Sequence, residues 1–218
     1  MNFNIVAEGN TDFRVLRIVI ESILEDAVVN VLVPTVDAYS HTTIGTAGWE
    51  NVVDFLGSNL LKGALDNCDY LVIQIDTDEC EHINYNAASI TLADEDIDSF
   101  YEDIKNKIIE WINKFDPNTY EIYKEKIIFA ICIHSLECWL LALYVKQNEL
   151  PRKRILAGFD HLNRALARHN LRLSEPKDPN QYERLAHQLR KRRNHPIVRE
   201  YSYSFDRFVS VLETLESV

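Results

Sequence analysis

An α/β fold is what this sequence predicts: a four-stranded, mostly parallel sheet flanked by helices, followed by a helical, basic C-terminal region. Short apolar runs, partly β-branched, recur up to residue 133 and end on turn or acidic residues, as buried strands do. Between them, apolar positions repeat at helical spacing, which is the β-α-β rhythm of a parallel sheet. Beyond Leu150-Pro151 the strand signals stop.

Taken in order, Phe3 to Ala7 forms a first strand, stopped by Glu8-Gly9. Asn10 or Thr11 caps the next helix, whose apolar face is Phe13, Leu16, Val19, Ile20, Ile23 and Leu24. Val28 to Val36 supplies a second strand, Gly45 to Gly48 a loop, and Trp49 to Leu61 a helix closed near Gly63. Tyr70 to Ile75 is apolar at almost every position, as in a central strand with helices on both faces, and it ends on Asp76. Residues 77–94 carry little regular pattern, and a loop of that length is more often functional than accidental. A helix started by Asp94, Asp96 or Asp98 runs to about Phe115, where Asp116-Pro117-Asn118 breaks it. Lys126 to Ile133 is the fourth strand, and Leu136 to Val145 the helix after it. Residues 1–150 thus form the α/β core. Residues 151–218 form a helical extension packed on or beside it, with helices near 151–169, 181–193 and 204–216. Pro176 and Pro179 keep the polar connection Ser174 to Asn180 extended.

The net charge of −11 is unevenly spread. Residues 1–150 hold 9 Lys and Arg against 26 Asp and Glu, residues 151–200 hold 13 against 5, and residues 201–218 hold 1 against 3. The basic block contains Arg152-Lys153-Arg154 and Arg190-Lys191-Arg192-Arg193, a pole suited to a nucleic-acid backbone. Pairing of these residues with the acidic half of the same protein accounts for them equally well. No apolar run approaches the roughly 18 residues of a membrane helix, and no basic-then-apolar segment precedes Phe3, so a cytoplasmic protein without a membrane partner is expected. Cys68, Cys80, Cys132 and Cys138 lack C-x-x-C spacing, as reduced thiols do. The C-x-H pairs Cys80-Glu81-His82 and Cys132-Ile133-His134 lack the usual zinc spacings.

Three acidic patterns stand where strands end: Glu8-Gly9-Asn10-Thr11-Asp12, Asp76-Thr77-Asp78 and Ser135-Leu136-Glu137. An open α/β sheet presents its ligand sites at the carboxyl ends of its strands. If strands one, three and four are neighbours, Glu8, Asp12, Asp76, Asp78 and Glu137 converge, and so many oxygen donors suit Mg²⁺ or Mn²⁺. Asp76 and Asp78, two apart, face one side of a locally extended segment. Singly, each pattern is also an ordinary cap or turn.

The order E-G-x-T-D, D-x-D and S-x-E resembles the Toprim catalytic domain of topoisomerases, bacterial primases and the overcoming-lysogenization-defect (OLD) nucleases. It is most similar to small stand-alone Toprim-like proteins of bacterial defence loci, through His134-Ser135-Leu136-Glu137-Cys138-Trp139-Leu140-Leu141-Ala142, and the likeness spans roughly residues 3–145. The resemblance implies an Mg²⁺- or Mn²⁺-dependent endonuclease of DNA or RNA, serving phage defence. It implies Glu8 as metal ligand or general base, Asp12 as support, Asp76 and Asp78 as principal ligands, Glu137 as ligand of a second metal, and Ser135 orienting Glu137. It also implies a catalytic lysine, for which Lys153 and Lys177 are the candidates. No G-x-x-x-x-G-K-[ST] occurs, so an ABC-type, OLD-like ATPase would be a separate partner. The alternatives are a primase-like nucleotidyltransferase and a non-catalytic Toprim-shaped subunit of an ATPase complex. A homo-oligomer is compatible with the sequence.

Overall fold

The four apolar runs become the four strands of one sheet. The computed structural model describes residues 1–37, 39, 43–145 and 158–216. In chain order these form β1 (Asn2–Val6), α1 (Asn10–Ile23), β2 (Val28–Val33), α2 (Trp49–Leu56), α3 (Leu60–Asp66), β3 (Tyr70–Asp76), α4 (Leu92–Glu95), α5 (Ile97–Ile112), α6 (Thr119–Tyr123), β4 (Ile127–Cys132), α7 (Glu137–Tyr144), α8 (Gly158–Ala167), α9 (Pro179–Ala186), α10 (His195–Tyr201) and α11 (Tyr203–Glu216). The strand order is β2-β1-β3-β4 and every neighbouring pair is parallel. The chain leaves β1 on one side to make β2, then crosses back to lay β3 on the other edge of β1. The carboxyl ends of β1 and β3 therefore flank the topological switch point, where an open parallel sheet leaves a crevice.

Side chains alternate between two apolar layers. Phe3, Ile5, Val72, Ile128 and Ala130 pack with α1, α7 and the C-terminal helices, whereas Val6, Leu71, Ile73, Ile75 and Ile131 pack with α2, α3 and α5. The same period of two puts Gln74 and Asp76 on the face of Val72, below α1 and α7. Residues 158–216 complete that layer. Leu162, Leu166, Tyr182, Leu185, Val198, Phe205, Phe208 and Leu212 are buried in one cluster with Leu16, Val19 and Trp139. Trp139 lies between the rings of Phe205 and Phe208 and donates its indole N–H to Ser204 Oγ at 3.0 Å. Each fully buried Leu or Phe contributes about 1.5–3 kcal/mol of transfer free energy, so these helices are part of the core.

Several boundaries differ from the sequence expectation. α1 is capped by Gly9, not by a side chain of Asn10 or Thr11. The helix expected over Trp49 to Leu61 breaks into α2 and α3, because Ser58 turns its hydroxyl back to the Phe55 carbonyl (2.8 Å) and accepts the Leu60 N–H (3.2 Å). β2 stops at Val33, and Val36 bridges Thr43 instead. Asp96 caps α5 by accepting the Ser99 N–H at 3.1 Å. The long loop after β3 is pinned by Glu81, whose carboxylate accepts from Ser89 Oγ (2.7 Å) and the Ile90 N–H (3.0 Å). The helix expected over 181–193 gives way after Ala186 to 3-10 turns at 187–190 and 192–194. α10 then begins with Pro196 in its first turn, a residue that reads as a breaker in sequence but fits a helix start. Among the described residues no helix is long and apolar enough to cross a membrane.

α8 meets the Ser135-Leu136-Glu137 turn at Gly158. A Cβ there would stand 2.4 Å from Ser135 Oγ and 3.2 Å from Cys138 Sγ. Gly158→Ala is expected to destabilise the fold by about 1–3 kcal/mol through overpacking, measured by urea denaturation.

Candidate functional site

β1 ends at Val6 while β3 continues to Asp76, paired there with β4 alone, so on the β1 side the Asp76 N–H needs a partner other than a strand. A side chain supplies it. Glu8 accepts the Asp76 N–H on Oε1 at 2.6 Å, and the Glu8 N–H donates to Gln74 Oε1 at 3.0 Å. Gln74, fully buried, donates from Nε2 to Asp76 Oδ1 at 2.9 Å, and the Leu136 N–H reaches the same oxygen at 3.1 Å. Asp76 is thus fixed from both sides, by the end of β1 and by the turn after β4.

That turn is locked by Thr77. Its Oγ1 accepts the His134 N–H at 2.8 Å, while the Thr77 and Asp78 N–H groups donate to the His134 carbonyl at 3.1 and 3.0 Å. His134 adopts a left-handed backbone (φ 66), which costs of order 1–3 kcal/mol and is held by these bonds. Asp76 is buried and Asp78 exposed. The expected extended geometry does not continue past Asp76, because a turn begins at Thr77, with the Cys80 N–H donating to the Thr77 carbonyl.

Asp12 sits in the first turn of α1, where the positive end of the helix dipole favours an acid, and Thr11 Oγ1 donates to its Oδ2 at 3.2 Å. A Cβ on Gly9 would stand 2.8 Å from that oxygen. Gly9 has an ordinary extended backbone (φ −144), so what requires a glycine here is the lack of space beside the carboxylate.

Glu137, 1% exposed, opens α7. Its Oε1 accepts a short hydrogen bond from the Tyr182 hydroxyl and pairs with Lys177 Nζ at 2.7 Å; the Ser135 hydroxyl also bonds its carboxylate. Lys177 comes from the connection before α9 and Tyr182 from α9 itself. Asp178 caps α9 by accepting the Asn180 N–H at 2.9 Å, and Glu183 clamps the helix to α1 through Arg14 and Arg17, 2.7 Å each. A cavity of about 350 Å³ opens here, lined by Glu8, Asp12, Asp76, Lys177 and the Thr43 and Gly48 loop.

Of the two candidate lysines, Lys177 therefore lies among the carboxylates, and Lys153 lies outside the described residues together with Arg152 and Arg154. The second basic cluster is elsewhere. Arg190 pairs with Glu21 (3.3 Å) and Arg192 with Glu216, while Lys191 and Arg193 are exposed. Glu21 lies nine residues along α1 from Asp12, roughly 13 Å at the helical rise, so this cluster sits toward the opposite end of that helix from the acids. Sequence reasoning missed Gln74 and Tyr182. Gln74 had a signal, as the one amide in an apolar strand; Tyr182 had none beyond its place in a helical apolar pattern.

The acids cannot all be ionised together in this setting. Burial, followed by the charges of Asp12 and Asp78, pushes Glu8 up to about 8, although the Asp76 N–H and Lys177 pull it down. Burial likewise raises Asp12 to about 6, against the pull of Lys177. Asp76 is raised well above the usual carboxylate range by burial and then by Glu8, Asp12 and Glu137. Asp78 is raised by partial desolvation and Glu79. Glu137 goes the other way: against its burial, Lys177, Tyr182 and Ser135 hold it ionised. Burial opposes the charge on Lys177, but Glu137, Asp12 and Asp76 outweigh it and keep the ammonium protonated.

Among the described residues no group of three or more His, Cys, Asp or Glu is arranged as a ready metal cage. His82, exposed and tilted against the Trp49 ring, forms no group of three or more metal donors with the buried Cys80 among the described residues. The donor chemistry of the cleft still fits a hard divalent cation: all-oxygen, anionic, and holding protons that a cation would replace. Glu8, Asp76 and Asp78 would hold it, with Asp12 and Glu137 adjoining.

A linkage prediction follows from Glu8. Folded, it keeps a proton up to about 8; unfolded, it releases it near 4.5. The native state then binds more protons, and metal-free stability falls as pH rises through this window, by up to about 1.4 kcal/mol per pH unit for each proton. His195, whose burial depresses it below the ordinary imidazole value of about 6.5, opposes this at lower pH, which leaves pH 6.5–8 as the clear range. Melting temperatures measured across that range without divalent ions should fall, and Glu8→Gln should flatten the slope.

Compared with family models, curated proteins and solved structures, the chain matches none.

Proposed function

We propose that this chain is a metal-dependent nuclease of the Toprim type. The observation that carries the reading is the meeting of Glu8, Asp12, Asp76, Asp78 and Glu137 with Lys177 at the β1/β3 switch point, where an open parallel sheet takes its ligand. The proton-holding acids support it, since strongly perturbed carboxylates in a cleft are what metal and acid-base chemistry need.

Bound at Glu8, Asp76 and Asp78, Mg²⁺ or Mn²⁺ would supply Lewis-acid stabilisation of a phosphodiester and a lowered pKa for water. The chain's own groups have distinct parts. Glu8, whose retained proton a bound cation would displace, serves as metal ligand or, once ionised, as base for the attacking water. Lys177 offsets charge developing on the phosphate, and Gln74 holds Glu8 and Asp76 in register. Ser135 and Tyr182 orient Glu137. A nucleic acid is the substrate in this reading, in the cytoplasm, with a separate OLD-like ATPase as partner in phage defence.

The purified protein should nick plasmid or cleave RNA with Mg²⁺ or Mn²⁺ and lose this with EDTA. Glu8→Gln should reduce cleavage by about 10²–10⁴-fold, the usual worth of a positioned base, and Asp76→Ala should abolish it. Full activity in both variants sinks the nuclease reading; incorporation of labelled nucleotide in place of cleavage would transfer the site to nucleotidyl transfer.

A further inference from the structure

Two donors from the C-terminal region converge on one oxygen. Lys177 Nζ and the Tyr182 hydroxyl both meet Glu137 Oε1. They differ in freedom. The Lys177 side chain is 46% exposed and rises from an extended connection flanked by Pro176 and Pro179. Tyr182 is fully buried, on a helix clamped to α1 by Glu183, Arg14 and Arg17. Lys177 also lies over the Tyr182 and Phe159 rings, each centroid 5.9 Å from Nζ, so a short swing keeps the ammonium against an aromatic face.

Glu137 is nearly sealed from water, and a buried carboxylate stripped of its cation is strongly destabilising unless other donors remain. A carboxylate oxygen has room for two donors, and here one is half-exposed and the other buried. We propose that Tyr182 is a positioning residue: with Ser135, it keeps Glu137 partnered and in place while Lys177 leaves that carboxylate for a phosphate of the substrate. The inference rests on the nuclease reading for the phosphate, but the arrangement itself is testable without catalysis. Mere packing predicts otherwise, because a phenylalanine ring would fill the same space and present the same face to Lys177.

The test is a double-mutant cycle on the full chain, Lys177→Ala, Tyr182→Phe and both, followed by thermal denaturation without divalent ions. The two donors stand in for each other, so the combined loss should exceed the sum of the single losses. In Tyr182→Phe, Glu137 depends more heavily on Lys177, and labelling of Lys177 by an amine reagent, read by mass spectrometry, should slow about tenfold, the fold-change of one charge-assisted hydrogen bond. Additive losses, or Lys177 labelling in Tyr182→Phe as fast as or faster than in the parent, overturn the proposal. If the double variant does not fold while both single variants do, the labelling result decides. Absence of cleavage by the parent protein would overturn the nuclease reading alone, since neither measurement needs a metal or a reaction.

Discussion

Carboxylates gathered at the end of a parallel sheet have to be neutralised, and most of this structure answers to that constraint. Like charges in a desolvated crevice repel by several kcal/mol unless protons, cations or N–H groups intervene. This fold uses all three: backbone N–H groups on Glu8 and Asp76, a proton that burial holds on Glu8 up to about 8, and Lys177 on Glu137. The division matters for chemistry. Glu137, beside the lysine, is ionised, whereas Glu8, farther into the β1/β3 gap, stays protonated near neutrality.

The C-terminal region is the other half of that answer. It completes one apolar layer of the sheet, and in doing so carries Lys177 and Tyr182 over the acids. Its charge has two uses. Arg14 and Arg17 reach it through Glu183, and Arg190 and Arg192 return charge to Glu21 and Glu216, so part of the basic block is taken up by internal pairing. Exposed pairs of this kind contribute little stability singly, but the Glu183 pair fixes the helix that carries the buried tyrosine.

Much of this was legible in the chain. The strands announced themselves as apolar runs, because a strand covered on both faces has no polar period, and the acids stood where those runs stopped. That Glu8 and Asp76 would bond across the gap followed only once β3 was known to lie against β1, a long-range pairing that no local pattern specifies. Lys177 was one of two candidates in sequence, and the docking of α9 on α1 brings it beside Glu137, while Lys153 lies outside the described residues. The placement of Arg190 to Arg193 was not legible, since a run of basic residues says nothing about which end of a helix it will meet. The role of Gly9 was not legible: its value is the absence of a Cβ beside Asp12, a close approach that only the fold creates.

The acids all come from residues 8–137, and the cation that balances them comes from residue 177. Synthesis proceeds from the N-terminus, so during translation the acidic half is made first and waits for its counter-charge. A chain paused before Lys177 has the carboxylates but not the lysine, the tyrosine, or the full layer that buries them. Under the proposed function, the hydrolytic centre is therefore finished last, and an incomplete nascent chain cannot attack nucleic acid near the ribosome that is making it.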